Sequence, residues 1–233
     1  MWSNIIRLFS GEGAPCRLCR APAERAGLCR ECAARLPAIA HACGQCGLPL
    51  HDPDSPVCGE CLGRPPPFDA ATVPFLYAPP LDGLIARLKY TGELTLGRLL
   101  AGQVAPRLAA RQLDLLLPIP LHRARLRQRG FNQAAELCRA LSGETGIPWA
   151  GGSLLRIKAG DPQRGSSRRQ RQRNVRNAFR WAAGRPCPPR VALVDDVITT
   201  GATARSAAAC LKRAGAEWVE IWAIARTPKG PGY

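Results

Sequence analysis

Long apolar runs, acidic residues and aromatic residues are all scarce in this chain of 233 residues. No stretch approaches the roughly 20 consecutive apolar residues that a membrane-spanning helix requires, so we predict no membrane span. The apolar start, residues 1–9, is short, contains Arg7 and is not followed by a signal-peptide cleavage pattern. Because neither a membrane span nor a signal peptide is predicted, we expect a cytoplasmic protein. No GxxxxGK[ST] segment is present, which excludes a P-loop nucleoside triphosphatase.

The shortage of acids is greatest over residues 120–190. Sixteen Lys and Arg residues lie there, against three acids, Glu136, Glu144 and Asp161. Such a local positive field attracts phosphate groups, on a polymer or on a small ligand, although a solubilising basic face is the alternative. Aromatic side chains, which stack on single-stranded bases, are few in the same region. The hydrophobic content of 46% still argues for a folded core.

Cysteine, by contrast, is abundant, and its arrangement differs from that of a secreted disulfide scaffold. Eight of the 11 cysteines form four CxxC pairs: Cys16/Cys19, Cys29/Cys32, Cys43/Cys46 and Cys58/Cys61. Two such pairs supply four thiolates for one tetrahedral zinc site, closed to substrate and therefore structural. We expect the pairs to combine in sequence order, although an interleaved pairing or a single occupied site also fits the spacing. Redox or disulfide chemistry is the alternative that the missing secretory signal makes weaker.

The proline run GRPPP, residues 63–67, divides the chain, because it can continue neither a helix nor a sheet. We predict a small Cys-rich zinc-binding module over residues 1–65 and one α/β domain over residues 66–233. Predicted strands lie at 71–78, 113–120, 191–195 and 218–225, the first at an edge because of Pro74. Predicted helices lie between them at 81–92, from 94 onward, at 132–146 and at 203–216. This alternation predicts a parallel sheet covered by helices.

The segment VALVDDVITTGATA, residues 191–204, combines a buried strand, two acids and an uncharged loop. Backbone N–H groups at the start of the following helix suit a phosphate, and carboxylates accept hydrogen bonds from ribose hydroxyls. Both halves together predict a ribose 5-phosphate site, with an Asp–Thr helix cap as the alternative. Its residues would be Asp195, Asp196, Thr199, Thr200, Gly201, Ala202 and Thr203.

Residues 191–203 resemble the phosphoribosyl-pyrophosphate (PRPP) motif of type I phosphoribosyltransferases. Over essentially the whole chain, the sequence also resembles the ComF competence-protein family. The segments that carry this resemblance are the CxxC pairs, LKYTG (88–92), PIPLHRARLRQRGFNQA (118–134) and PQRGSSRRQRQRNVRNAF (162–179). The resemblance implies a type I phosphoribosyltransferase-like parallel sheet with flanking helices, plus a zinc-ribbon-like N-terminal module. It also implies an association with DNA uptake in natural transformation.

The same resemblance implies PRPP binding with Mg²⁺ and a pyrophosphate loop after strand 113–120. Four alternating arginines follow that strand, and in an extended loop they would share one side. A basic segment, 162–177, resembles the flexible hood that closes over the ligand in this fold. The residues proposed to contact phosphate are Lys89, Arg123, Arg125, Arg127, Arg129, Arg164 and Arg168. His122 beside the loop is given no catalytic role.

Two functions follow from these features. The first is a phosphoribosyltransferase that uses PRPP and Mg²⁺ with an unknown acceptor. The second is a non-catalytic, zinc-dependent accessory factor of DNA uptake that binds single-stranded DNA or a helicase partner. They are compatible, because a phosphate site can be retained for regulation.

Overall fold

The structure is a computed structural model that describes residues 15–23, 27–108, 111–158, 177–182, 184 and 186–228. The strands in these ranges are β1 (Ala70–Thr72), β2 (Phe75–Leu76), β3 (Leu115–Pro118), β4 (Leu154–Arg156), β5 (Phe179–Trp181), β6 (Arg190–Ile198) and β7 (Trp218–Arg226). The helices are α1 (Arg30–Ala34), α2 (Gly59–Gly63), α3 (Leu81–Tyr90), α4 (Thr95–Val104), α5 (Arg123–Arg129), α6 (Gln133–Thr145) and α7 (Ala202–Arg213), with a 3₁₀ turn at Ala105–Arg107. Within the described ranges, no helix is long and apolar enough to cross a membrane.

The main sheet is parallel, with the strand order β1, β7, β6, β3. β2 also pairs with β7, so β1 and β2 form one edge that is interrupted at Val73 and Pro74. Pro74 has no N–H to donate, which confines it to such an edge and confirms the prediction. β4 and β5 form a separate antiparallel pair. The predicted α/β architecture with a parallel sheet is therefore confirmed.

Two hydrophobic cores cover the two faces of the sheet. Side chains alternate along a strand, so β6 contributes Ala192 and Val194 to the core beneath α3, α4 and α6. Val191 and Leu193 of the same strand enter the core beneath α7. The helical periodicity of α3 predicts its buried face, and Leu81, Leu84, Ile85 and Leu88 are all buried.

The Cys-rich segment packs against both cores. Cys16, Cys29 and Cys32 belong to the core beneath α3 and α4, whereas Cys43, Cys46 and Cys61 belong to the core beneath α7. Its second part also contacts the sheet edge, where the Ala71 N–H donates to the Gly44 carbonyl oxygen over 2.9 Å. The boundary at residue 65 stays a prediction, but the contacts across it are extensive.

The arginine-rich segment after β3 differs from the prediction of an extended loop. It forms α5, whose first turn is capped by His122 Nδ1 accepting from the Ala124 N–H and whose end is closed by Gly130 at φ +84°. Side chains four residues apart share a helix face, so Arg125 and Arg129 lie on one side of α5 and Arg123 and Arg127 on another. The expectation that all four share one side is wrong.

Strand β6 is also longer than predicted. Its pairing with β7 continues from Asp195 opposite Ala223 to Ile198 opposite Arg226. The expected end at residue 195 is wrong, because the ladder to β7 holds three further residues in extended geometry. Asp195 and Asp196 therefore lie within the strand, near its carboxyl end.

We predict that Gly47→Ala destabilises the protein more than Gly59→Ala does. Gly47 has φ +68°, and an added Cβ would lie 2.6 Å from Val73 Cγ2, whereas nothing lies within 4 Å of one added at Gly59. Overpacking and a left-handed backbone each disfavour alanine, with a combined cost of roughly 1–4 kcal/mol. Thermal unfolding of both variants checks this, and equal melting temperatures would contradict it.

Candidate functional site

The carboxyl end of β6 places two acids side by side in the interior. Asp196 is buried, 3% exposed, and Asp195 keeps partial exposure. Each carboxylate accepts a backbone hydrogen bond from the next residue: Asp195 Oδ1 from the Asp196 N–H over 2.9 Å, and Asp196 Oδ1 from the Val197 N–H over 2.7 Å. Because side chains alternate along a strand, the two carboxylates point toward opposite faces of the sheet.

Lys89 supplies the nearest positive charge to Asp196. The Nζ of Lys89, on the last turn of α3, lies 2.9 Å from Asp196 Oδ2. That oxygen is buried and has no partner with hydrogen-bond geometry among the described residues, so the contact is an ion pair without a well-aligned hydrogen bond. Lys89, expected to contact a ligand phosphate, is thus engaged by a carboxylate of the same site.

Burial makes this pair of acids electrostatically unfavourable. Desolvation, followed by the charge of Asp196, raises the pKa of Asp195 from 3.8 to about 8, against the opposing effect of Lys89 and the Asp196 N–H. Titratable side chains with strongly shifted pKa values are concentrated at functional sites. At neutral pH Asp195 can therefore donate or accept a hydrogen bond.

The loop after β6 presents backbone donors beside these acids. Gly201 adopts φ +73° and precedes α7, whose first turn carries no acidic residue. Thr200 Oγ1 accepts from the Ala202 N–H over 3.4 Å. Within the described ranges, no protein acceptor is bonded to the backbone N–H groups of Thr200, Gly201 and Thr203. These donors and the positive end of α7 are suited to an anion.

Three arginines complete the cationic surroundings. Burial and the charge of Arg125 lower the pKa of Arg129, whereas Asp196 opposes the shift. Burial and Arg125 lower the pKa of Arg156 in the same way, and there Asp195 opposes. Arg129 of α5 is thus within electrostatic range of Asp196, and Arg156 of β4 is within range of Asp195, with the charge of Arg125 near both arginines.

The other predicted phosphate residues lie elsewhere. Arg123 and Arg127 are exposed on the opposite face of α5. Arg164 and Arg168, with the predicted hood, lie outside the described residues. The sequence did not predict Arg156 as a phosphate-contacting residue, because it lies outside every recognised motif. Its position at the end of a short apolar strand, LLR, is the one local feature that could have indicated it.

The eight CxxC cysteines form two groups of four, in sequence order. Cys16, Cys19, Cys29 and Cys32 form one group and Cys43, Cys46, Cys58 and Cys61 the other, with all Sγ atoms of a group within 4.8 Å of one another. The Sγ atoms of Cys19 and Cys29 are 3.6 Å apart, and those of Cys46 and Cys58 are 3.7 Å apart. A tetrahedral zinc with Zn–S bonds of about 2.3 Å requires about 3.8 Å between sulfurs, so both groups fit the metal. The interleaved pairing is excluded.

Helix N-termini contribute to both metal centres. Cys29 and Cys58 are the N-cap residues of α1 and α2, which places Cys32 and Cys61 one turn further along. Burial opposes ionisation of Cys16, but backbone N–H groups outweigh it and lower the pKa of that thiol to about 6. Burial raises the pKa of Cys46 to about 11. Clustered thiols cannot all lose their protons without a cation among them, which is the charge that zinc supplies.

Known proteins are similar to this chain both in the Cys-rich segment and over most of its length. A family model described as a double zinc ribbon domain matches residues 11–62. DNA utilization protein YhgH of Salmonella typhimurium is 38% identical over 222 residues, covering 91% of this chain and 96% of the relative. Competence protein F of Haemophilus influenzae is 37% identical over 209 residues, covering 86% and 90%.

The chain belongs to the ComF family. Solved structures that overlap with this ComF-family chain include a glutamine PRPP amidotransferase from B. subtilis, with 25% identity, a TM-score of 0.37 and coverage of 55% of this chain and 26% of that one. A purine phosphoribosyltransferase from Pyrococcus horikoshii overlaps with 18% identity, a TM-score of 0.33 and coverage of 58% and 85%.

We predict that Asp195→Asn stabilises the ComF-family protein, increasingly so as pH rises. In the folded state Asp195 keeps its proton up to about pH 8, whereas the ordinary pKa of an aspartic acid is 3.8. The free energy of unfolding therefore falls as the pH rises from 3.8 to about 8. Asparagine is neutral in both states and escapes that loss. Melting temperatures of the two proteins should diverge from about pH 4 to about pH 8.

The control for this titration is Glu144→Gln, an exposed position on α6. Its melting temperature should follow that of the unsubstituted protein at every pH. A constant or shrinking difference between Asp195→Asn and the unsubstituted protein would show that Asp195 is ionised throughout the range.

Proposed function

We propose that this protein binds PRPP, or another ribose 5-phosphate ligand, at the carboxyl end of β6. The observation that supports this most is the meeting of carboxylate acceptors, loop N–H donors and arginines at that one end. Parallel α/β sheets bind ligands at the carboxyl ends of their strands. A sugar that carries both hydroxyls and phosphates needs acceptors and donors together, which a simple anion does not.

Each part of PRPP has a complementary group in this proposal. The ribose hydroxyls donate to Asp195 and Asp196, and the 5-phosphate accepts from the loop amides and hydroxyls of residues 199–203. The pyrophosphate faces Arg125, Arg129 and Arg156, whose guanidinium groups suit bidentate phosphate contact. Lys89 balances the charge of Asp196, which keeps both acids beside the ligand.

Transfer of the phosphoribosyl group is the reaction that this arrangement favours. A nucleophilic acceptor forms a bond to ribose C1 as the bond from C1 to the pyrophosphate oxygen breaks, and pyrophosphate leaves with both bonding electrons. Mg²⁺, bound mostly by oxygens of the ligand and of water, would neutralise the negative charge of the departing pyrophosphate. Lys89 already occupies the charge-balancing position at Asp196 Oδ2, so direct metal ligation by that oxygen is not part of the proposal.

The process served would be the use of DNA taken up by the cell. This assignment rests on the names of the relatives, DNA utilization protein and competence protein.

The exposed face of α5 favours a second, compatible function. Arg123 and Arg127 are exposed on the side of α5 opposite to Arg125 and Arg129. Two exposed arginines one turn apart, on a chain with a net charge of +16, are suited to the phosphates of single-stranded DNA.

The two faces of α5 provide a matched test of PRPP binding. We expect Arg125→Ala/Arg129→Ala to weaken PRPP binding at least about tenfold, because two charged phosphate contacts are lost. Arg123→Ala/Arg127→Ala removes the same charge from the same helix and should leave that affinity unchanged. Isothermal titration with PRPP and Mg²⁺ measures both, and absence of binding by the unsubstituted protein would overturn the proposal.

For single-stranded DNA the expected order is reversed. Arg123→Ala/Arg127→Ala should weaken binding of a labelled oligonucleotide and flatten its salt dependence by about 0.7 in the logarithmic slope per lost phosphate contact. Fluorescence anisotropy across a salt series measures this. Binding that is absent, or insensitive to salt, would rule out the second function and leave the first intact.

A further inference from the structure

Arg226 is a buried arginine with an unusual set of partners. It is the last residue of β7 and is 2% exposed. No carboxylate of the described residues lies within ion-pair distance of it. Its guanidinium donates to main-chain carbonyl oxygens instead: Nε to Cys46 over 3.2 Å, Nη1 to Ile198 over 2.8 Å, and Nη1 also to Thr199 and Thr227.

These carbonyls belong to two functional parts of the molecule. Cys46 lies in the second group of four cysteines, and Ile198 and Thr199 lie where β6 passes into the loop proposed to bind phosphate. The Thr227 N–H also donates to the Ile198 oxygen over 3.0 Å, which ties the end of β7 to the same turn. One planar side chain therefore links the second metal centre to the ligand loop.

The contact with Ile198 and Thr199 determines where the loop amides point. A trans peptide plane directs its C=O and the following N–H in opposite directions. The Ile198 carbonyl shares a plane with the Thr199 N–H, and the Thr199 carbonyl shares one with the Thr200 N–H. Holding both oxygens on Arg226 therefore directs both N–H groups away from Arg226.

The charge of Arg226 also requires compensation. A guanidinium does not lose its proton in proteins, so its burial is costly unless negative charge lies nearby. The hydrogen bond from Nε to the Cys46 carbonyl oxygen places the guanidinium beside the second group of cysteines. Four thiolates around one Zn²⁺ keep a net negative charge, which makes the loaded second centre the counter-charge of Arg226.

We propose that Arg226 is a positioning residue that couples the second four-cysteine centre to the ligand loop, so that metal loading of that centre orders residues 198–200. The role of the loop in binding rests on the proposed function. Coupling between two sites is reciprocal, so a ligand in the loop also favours the loaded centre. Among the described residues, the first centre makes no hydrogen bond to residues 198–200, and its link is instead to α3, where Arg87 Nη1 donates to the Arg17 carbonyl oxygen over 3.1 Å.

The first experiment compares Arg226→Lys with Arg107→Lys. Arg107 also donates to a main-chain carbonyl, that of Pro74, and lies over the Phe75 ring, but it does not contact the loop. We measure hydrogen–deuterium exchange of residues 198–203 without ligand, zinc content, and PRPP affinity. Arg226→Lys should keep its zinc, speed loop exchange at least about tenfold and weaken PRPP binding about tenfold. Arg107→Lys should match the unsubstituted protein in all three.

A second pair of variants tests the metal side and remains informative if Arg226→Lys does not fold. Cys58→Ser impairs the second centre and Cys29→Ser the first. We expect faster loop exchange in Cys58→Ser alone. Equal loop exchange in the two cysteine variants, or an unchanged loop in Arg226→Lys, would overturn the coupling. Exchange is read without ligand, so failure of the unsubstituted protein to bind PRPP would overturn the proposed function and leave this result standing.

Discussion

Two adjacent carboxylates near the end of a buried strand are the constraint to which the surrounding structure responds. Water cannot screen Asp196, so Lys89 on α3 pairs with it, and burial beside Asp196 raises the pKa of Asp195 and shifts it toward its protonated form. Arg129 and Arg156 add positive charge from two further elements. Such an arrangement lowers stability at neutral pH, which is the usual cost of a prepared polar site.

The metal centres extend this organisation to the rest of the chain. Each group of four cysteines packs into a different core, one on either face of the sheet. The Cys-rich segment therefore supports the α/β domain as well as holding metal. Through Arg226, one of the two centres reaches the loop at which the ligand is proposed to bind. A structural metal and a ligand site can share one hydrogen-bond network in this way.

Local features of the sequence predicted the elements that depend on local physics. The buried face of α3, the N-cap at Asn132 and the edge position of Pro74 all follow from periodicity, capping and a missing N–H, and all are present. Helix α5 was missed because it is short, has no buried side and is capped by His122, a residue that ranks low as a cap. The true end of β6 depends on its partner β7, which no local pattern reveals.

The sequence by itself determined the residue types of the site: paired acids before a Thr- and Gly-rich loop, four CxxC pairs and a basic middle region. Those features depend on composition and spacing along the chain. Only the tertiary structure decided which cysteines share a centre, which arginine of α5 lies near Asp196, and that Arg156 lies near Asp195 while Arg226 donates to the carbonyl oxygens of Ile198 and Thr199. Residues up to 180 positions apart, such as Cys46 and Arg226, meet only when the sheet has assembled. The physical reason is that charge compensation and carbonyl pairing are satisfied in space, by whichever donors the packed elements bring within reach.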